Sequence, residues 1–237
     1  MMQRLRNVLP VPVMLVAIGT LACALGRAPM HAGAQGEDPA EPVEPIEPDE
    51  PIELFDGESL DGWAGDTALF EAEDGVLRCT GEGRGILKTE QSYTGYILTL
   101  EWRWPADDNA RVTTGDAGVF LHVGPGQGVN IWPQCIEVQL EHGNAGDFWL
   151  VGVALTPFDA DQPQTSGRVM RDPAAQENEA GQWNTLSVLC DGGYIEVQIN
   201  GEPANAGFDA ARTQGPIALQ SEGDAIEYRN IQLAPLE

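Results

Sequence analysis

The fold class of this chain follows from the stretch Ile136-Glu137-Val138-Gln139-Leu140-Glu141. Apolar and polar side chains alternate in it, which is typical of a β-strand with one face packed on a core. Its three apolar residues would face that core. Its three polar residues, Glu137, Gln139 and Glu141, would then lie together on the opposite face of the sheet. That face of a sheet can form a ligand-binding groove, whereas a solvated outer face is the ordinary alternative.

Similar short runs recur from Leu54 to the C-terminal end, and clusters of Gly, Asp and Asn separate them. The pattern predicts about ten strands and no long helix. An all-β domain with turn signals between its strands is typical of a two-sheet jelly-roll sandwich. The clearest predicted strands are 75–77, 97–102, 118–123, 136–140, 183–190, 194–199, 216–220 and 226–233.

A targeting segment precedes this domain. Residues 1–34 combine a positively charged start, an apolar run at 8–25 and a small-residue triplet at 32–34. These features predict a secretory signal peptide, with an uncleaved membrane anchor as the alternative. The residues before Cys23 match a lipidation box poorly, which argues against a lipid anchor. We therefore expect an exported protein of bacterial type, periplasmic or extracellular.

An acidic, proline-rich linker occupies residues 35–53. Proline recurs at every third position from Pro39 to Pro51, which is the period of a polyproline II helix. The segment also carries eight carboxylates and no cation, so self-repulsion extends it. It predicts a spacer in front of a domain at 54–237, although a proline-rich recognition motif has the same composition.

The charge of the chain limits its partners. The formal net charge is −25, and without residues 1–34 nine basic residues face 37 acidic ones, a net charge of −28. Such a surface repels phosphate backbones and anionic lipids. We therefore expect no nucleic acid partner and no membrane contact beyond an N-terminal anchor. Neutral ligands or divalent cations fit better.

Three cysteines remain after the signal segment: Cys79, Cys135 and Cys190. They allow at most one intramolecular disulfide, and no Cys-x-x-Cys pair is present to form a zinc ribbon. We expect them to be small buried residues in strands.

Several motifs occur in a fixed order between Leu54 and Leu236. They are Leu54–Trp63, Gly118–His122, Trp132–Leu140, Gly146–Trp149, Gly215–Gly223 and Tyr228–Ile231. Together these segments resemble the 3-keto-disaccharide hydrolase family. The resemblance implies a jelly roll of the concanavalin A-like or laminin G-like kind. It also implies cleavage of glycosides that are already oxidised to a ketone at carbon 3.

The chemistry of a 3-keto sugar suggests which residues act. The ketone acidifies the hydrogen on carbon 2, so one base can expel the group on carbon 1, while a cation or metal stabilises the enolate oxygen. Glu137 and His122 are the candidate catalytic bases, and alternation with Phe120 predicts that His122 shares the groove face. Arg103, Arg229 or a divalent ion are candidates for holding the oxygen.

An ordinary glycosidase pair does not fit Glu137 and Glu141. Four residues along a strand span about 13 Å, whereas such pairs need roughly 5–9.5 Å. A partner carboxylate would have to come from a neighbouring strand, and Glu101, Asp116 and Glu222 are the candidates.

Further residues could bind the sugar. Gln139 and Glu141 suit a row of hydroxyl groups, while Trp132 and Trp149 flank the Glu137 strand and could stack on sugar rings. Gln220 and Glu222, at the end of a predicted strand, are further candidate contacts. By the same alternation, Trp102 and Trp104 are expected in the core.

The sequence thus predicts an exported glycoside hydrolase or lyase that acts on 3-keto-glycosides or disaccharides by general-base-assisted elimination or hydrolysis. A non-catalytic carbohydrate-binding module and a structural or adhesion domain are the alternatives. The sequence contains no cofactor-binding loop, so a separate oxidoreductase would supply the ketone. A divalent metal ion is the one cofactor left open, and carbohydrate is the expected partner.

Overall fold

A computed structural model of the chain describes residues 51–106 and 115–236. The predicted signal peptide and most of the predicted linker lie outside these ranges. Within them, no helix is long and apolar enough to cross a membrane.

The described residues form seventeen β-strands and one 3₁₀ turn, Thr67–Leu69, so the predicted all-β class is confirmed. Most strands are short, as expected for a chain punctuated by Gly, Asp and Asn. In chain order they are β1 (Ile52–Glu53), β2 (Trp63–Gly65), β3 (Phe70–Glu73), β4 (Val76–Cys79), β5 (Arg84–Thr89), β6 (Tyr96–Arg103), β7 (Gly118–Leu121), β8 (Cys135–Gln139), β9 (Phe148–Val151), β10 (Thr156–Pro157), β11 (Gln164–Thr165), β12 (Arg168–Val169), β13 (Asn184–Asp191), β14 (Tyr194–Ile199), β15 (Glu202–Phe208), β16 (Ala218–Glu222) and β17 (Ile226–Pro235).

These strands form two antiparallel sheets. Sheet I has the order β10-β15-β14-β13-β6-β17-β4-β3, and β1 also pairs with β17. Sheet II has the order β11-β12-β9-β8-β7-β16-β5-β2. Short hairpins such as β13-β14-β15 alternate with connections that cross between the sheets. The predicted two-sheet jelly-roll sandwich is therefore confirmed.

Alternating side chains from both sheets build the core. Every second residue of β6 is buried, and Trp102 and Trp104 lie in the core as predicted. Ile136 and Val138 of β8 join the same core cluster. Glu137 and Gln139 therefore lie on the other face of sheet II, as the alternation predicts.

A second apolar cluster covers part of that other face. It includes Phe120 of β7, Cys135 of β8 and Ala218 of β16, and the partly buried Trp149 packs against it. Sheet II is thus covered on both faces in its centre, and every residue of β7 and β8 is buried. Polar groups on this face, Glu137 and Gln139 among them, are consequently shielded from water.

The first strand lies inside the segment predicted to be linker. Ile52 pairs with Leu233 and Glu53 with Gln232, whose side-chain amide donates a 2.6 Å hydrogen bond to the Glu53 carboxylate. The first strand thus begins two residues before the predicted start of the domain at residue 54. A two-residue strand directly after a proline carries no periodic signal that would reveal it.

The three cysteines of the described chain are buried and free. This confirms the prediction that they are small buried residues.

Strand β13 offers a direct test of which face is the core, because Leu186 is fully buried while Leu189 lies on the outer face of sheet I. We expect Leu186→Ala to lower the free energy of unfolding by about 2–5 kcal/mol, since it leaves a cavity in the core. The matched variant Leu189→Ala should cost less than about 1.5 kcal/mol, because the site can relax into solvent. Urea unfolding measures both, and equal losses would contradict the assignment of faces.

Candidate functional site

A row of side chains crosses the outer face of sheet II. Lys88 of β5 pairs with Ala218, Ala218 pairs with Phe120, Phe120 with Glu137, and Glu137 with Trp149 of β9. Directly opposite residues of paired strands share one face of a sheet. Glu137 therefore lies in the middle of the sheet, three strands from the edge strand β11 and four from the edge strand β2.

A cavity of about 250 Å³ opens above Glu137. Two further carboxylates, Asp116 and Glu222, line it together with the guanidinium of Arg84. The indoles of Trp132 and Trp149 form apolar parts of its wall. Gln139, Asn130 and Ser166 add hydrogen-bonding groups, and Val129, Leu150 and Val151 complete the lining.

The Glu137 side chain is seated over a glycine of the neighbouring strand. A Cβ atom at Gly118 of β7 would lie 2.3 Å from Oε1 of Glu137, which is far inside contact distance. Only glycine leaves room for the carboxyl group to fold down onto the sheet in this way. The Glu137 residue is consequently only 5% exposed.

Burial and like charges raise the pKa of Glu137 to about 8, from an ordinary 4.5. Loss of hydration is the largest cause, the carboxylates of Asp116 and Glu222 add to it, and Arg168 partly offsets it. Asp116 is less buried, and its pKa is raised to about 6 by burial and by the charges of Glu222, Glu141 and Asp224. Near neutral pH, Asp116 is therefore mainly ionised while Glu137 is mainly protonated.

Gln139 helps to keep Asp116 charged. The amide of Gln139, which lines the same cavity, lowers the pKa of Asp116 and so opposes the effect of burial. The Gln139 carbonyl oxygen accepts from the backbone N–H groups of Leu140 and Glu141, at 2.9 and 3.1 Å. These two bonds fix the amide orientation, so that its NH₂ group is the end available to Asp116.

The third carboxylate, Glu222, forms an ion pair and a further hydrogen bond with its neighbours. Arg84 donates a hydrogen bond to Oε1 of Glu222, and the Gln220 amide donates to Oε2 at 2.6 Å. The guanidinium carbon of Arg84 lies 5.3 Å from the ring centre of Trp132, within the range of a cation–π contact. Arg84 thus brings a cation to the cavity wall, beside an indole.

A second arginine supports the opposite wall. Arg168 of β12 donates to Asp147 at 2.5 Å and to Glu141 at 3.2 Å. Its guanidinium carbon lies 5.4 Å from the ring centre of Trp149. Trp149 is therefore held in place by a cation that is itself fixed by two carboxylates.

The structure brings together most of the predicted site. Glu137, Gln139, Trp132, Trp149 and Glu222 line one cavity, together with Asp116, a predicted partner carboxylate. Two other predicted contacts lie beside the cavity rather than in its lining. Gln220 is 1% exposed and contacts Glu222, while Glu141 pairs with Arg168 and accepts a bond from Asn144.

The predicted position of His122 on the groove face is wrong. Strand β7 ends at Leu121, and His122 has a φ of +52°, which breaks the alternation and turns its side chain inward. Its ring is 1% exposed and packs edge-on against Tyr96 at 5.5 Å, while Nδ1 lies 3.2 Å from the carbonyl oxygen of Arg212. Burial lowers the pKa of His122 to about 4. It is a neutral core residue, away from the cavity.

The predicted contribution of Arg103 and Arg229 to the groove is also wrong. Both lie on the outer face of sheet I, where their guanidinium carbons sit 4.4 and 4.1 Å from the ring centre of Trp183. They pair with Glu227 and with Glu101, which removes Glu101 as a partner for Glu137. Alternation assigns a residue to one face of its strand but does not reveal which sheet the strand joins.

Sequence reasoning missed Arg84, Asn130 and Ser166. The alternation of β5, with Arg84, Ile86 and Lys88 on one face, could have placed Arg84 in the groove. Asn130 and Ser166 lie in loops with φ values of +55° and +47°, where no periodic pattern exists.

The sequence left a divalent metal ion as a possible cofactor of this site. In residues 51–106 and 115–236, no group of three or more His, Cys, Asp or Glu side chains is arranged to hold a metal ion.

Comparisons with known proteins give one family and a set of similar folds. A model of the family described as 3-keto-alpha-glucoside-1,2-lyase-like domain matches residues 50–234. Two candidate glycosyl hydrolases from Parabacteroides distasonis are similar in structure. One has 21% identity and a TM-score of 0.58 over 79% of this chain and 94% of its own. The other has 19% identity and a TM-score of 0.55 over 79% of this chain and 100% of its own.

The carbohydrate-binding module CBM66 from Bacillus subtilis is also similar, with 7% identity and a TM-score of 0.53 over 72% of this chain and 93% of its own. At such identities these likenesses show a shared fold. A search of the curated proteins finds no match.

Because the pKa of Glu137 is raised in the folded state, the stability of the fold should depend on pH near neutrality. A carboxyl group whose pKa is higher in the folded state than its ordinary 4.5 stabilises the fold fully below that value, and the benefit is lost as the pH rises through about 8. Glu137→Gln removes this dependence. We expect its Tm to exceed that of the unmodified protein by roughly 10 °C or more at pH 9, and by less than about 4 °C at pH 5.

Thermal unfolding at the two pH values measures this difference. Glu71→Gln, an exposed carboxylate on β3, is the matched control and should change the Tm little at either pH. A Glu137→Gln effect of equal size at pH 5 and pH 9 would show that Glu137 is not the buried acid described above.

Proposed function

The chain belongs to the 3-keto-alpha-glucoside-1,2-lyase-like domain family, and from that premise we propose that it is an exported enzyme that cleaves 3-keto-glycosides, including 3-keto-disaccharides. The reaction would be an elimination assisted by a general base, which becomes a hydrolysis if water then adds to the product. Export rests on the predicted signal segment at residues 1–34.

The observation that carries this proposal is the pair of carboxyl groups with separated pKa values. Asp116, with a pKa of about 6, and Glu137, with a pKa of about 8, line the same cavity. Two titratable groups that their environment pushes apart in this way can serve as the base and the acid of one reaction at neutral pH. Glu137 is accordingly assigned as the acid, rather than as the base expected from the sequence.

The proposed reaction begins at carbon 2 of the 3-keto sugar. The Asp116 carboxylate removes the hydrogen from carbon 2, which the adjacent ketone has made acidic. The electron pair of that C–H bond forms a double bond between carbons 1 and 2, and the bond from carbon 1 to the leaving oxygen breaks. The protonated Glu137 carboxyl donates its proton to that oxygen, so that a free alcohol or sugar departs.

Negative charge develops on the carbon 3 oxygen during this step. Arg84 is the guanidinium that lines the cavity, and its ion pair with Glu222 holds it in place. A fixed cation on a partly dehydrated wall stabilises an enolate oxygen more effectively than a mobile one in water.

Sugar binding would rest on the remaining wall. Trp132 and Trp149 offer apolar ring faces, which pack against the C–H faces of a sugar. Asn130 and Ser166 lie in exposed loops at the cavity and can bond hydroxyl groups.

We expect Asp116→Asn and Glu137→Gln each to lower kcat/KM on 3-keto-trehalose or a 3-keto-β-glucoside by about 10²–10⁴, because each removes a proton-transfer group. Product formation by the purified protein measures the rates. Glu71→Gln on the surface is the control and should retain normal rates.

Two results would contradict the proposal. If the unmodified protein bound saccharide but turned over neither substrate, it would be a carbohydrate-binding module. If both variants kept rates within a few-fold of normal, Asp116 and Glu137 would not transfer protons in the reaction.

The pH dependence separates the acid from the base. We expect kcat/KM to rise through pH about 6, as Asp116 ionises, and to fall through pH about 8, as Glu137 loses its proton. The residual activity of Glu137→Gln should lack the alkaline fall. Rates are measured from pH 5 to 9 after subtraction of the uncatalysed elimination. Activity that instead increased through pH 8 would make Glu137 the base.

A further inference from the structure

A second cavity lies on the same face of sheet II. Its volume is about 560 Å³, and it lies between the end of β5 and the segments 123–125 and 211–216. Lys88, from the same row of side chains as Glu137, is one of its walls. Three strand spacings separate Lys88 from Glu137, which is about 14 Å.

The charges of this cavity are opposite to those of the chain. Lys88 and Arg212 both line it, and no Asp or Glu is among its lining residues. Ser92, Thr213 and Gln214 supply neutral hydrogen-bonding groups. The charged part of this lining is thus wholly positive, in a chain with 37 acidic and 12 basic residues.

The other cations of the described chain are mostly neutralised. Five arginines form ion pairs with carboxylates: Arg78, Arg84, Arg103, Arg168 and Arg229. Within residues 51–106 and 115–236, no such pair involves Lys88 or Arg212.

Arg212 is held in place without losing its charge. Its Nε donates to the carbonyl oxygen of His122 at 2.8 Å, and Nη2 donates to that of Gln214 at 3.3 Å. The guanidinium lies flat against Gly124, where a Cβ atom would come within 2.9 Å of Cζ and 3.0 Å of Nη1. Carbonyl partners orient the group but leave its full positive charge for a ligand.

We propose that the cavity containing Lys88 and Arg212 binds a compact oxyanion carried by a larger polar molecule, namely the carboxylate, sulfate or phosphate group of an acidic saccharide. A planar guanidinium and a nearby ammonium are a common pair for such groups. The volume exceeds what an inorganic anion fills and lies in the range of small-molecule pockets. The net negative charge of the chain does not prevent binding, because salt screens distant charges beyond about 8 Å at physiological ionic strength.

This proposal is separate from the proposed reaction. Binding of an oxyanion involves none of Asp116, Glu137 and Arg84, so it can be measured without turnover.

The test is calorimetric titration of the full chain with glucuronate, sulfate and phosphate, with glucose as the neutral control. We expect glucuronate to bind more tightly than either inorganic anion, and glucose to show no binding that depends on Lys88. Equal affinity for all three anions would keep the oxyanion site but identify its ligand as a free inorganic ion. No binding of any anion would overturn the proposal.

Variants locate the site. Lys88→Met should weaken glucuronate binding by about tenfold, and Lys88→Glu should weaken it further by placing a like charge in the cavity. Arg78→Met, which removes a half-exposed arginine of sheet I, is the matched control and should bind normally. Because Lys88 makes no side-chain hydrogen bond to the described residues, both of its variants should fold. Unchanged affinity in Lys88→Glu would contradict the assignment, while turnover of a neutral 3-keto-glycoside should stay near normal in Lys88→Met.

Discussion

The site depends on one constraint, the burial of the Glu137 carboxyl group on a sheet that is covered on both faces. Hydration cannot stabilise a charge there, and two further carboxylates stand in the same cavity. Three neighbouring residues make this burial possible. Gly118 leaves room for the Glu137 side chain, and Arg84 forms an ion pair with Glu222. Gln139 lowers the pKa of Asp116, which favours its ionised form. As a result, Glu137 binds its proton more tightly than Asp116, which lines the same cavity.

Much of the fold and part of the site could be predicted from the sequence, because both depend on alternation within strands. The stretch 136–141 places Glu137 and Gln139 on the groove face correctly, since a regular strand has a strict period of two. His122 shows the limit of this argument, because its positive φ ends the alternation and its side chain enters the core instead of the groove. Arg103 and Arg229 show a second limit, because the pairing of distant strands decides which sheet carries them.

The outer face of sheet II separates charge into two regions. Three carboxylates line the cavity above Glu137, whereas the two charged residues that line the cavity beside Lys88 are both cations. Both regions use glycine to bring a charged side chain against the backbone, Gly118 under Glu137 and Gly124 under Arg212. The two glycines therefore contribute to the shape of this face, because each leaves space that a charged side chain fills.

The pairing of β1 with β17 has a consequence for how this domain can be built into larger proteins. Ile52 stands opposite Leu233, and paired residues of antiparallel strands lie about 4.5–5.5 Å apart. The polypeptide thus enters and leaves the sandwich at almost the same point. A domain with adjoining ends can be inserted into a loop of another protein, or have its ends joined and be reopened elsewhere, without stretching its host or itself. The β-sandwich could therefore be joined to other domains with both of its connections on the same side, next to the β1–β17 pair.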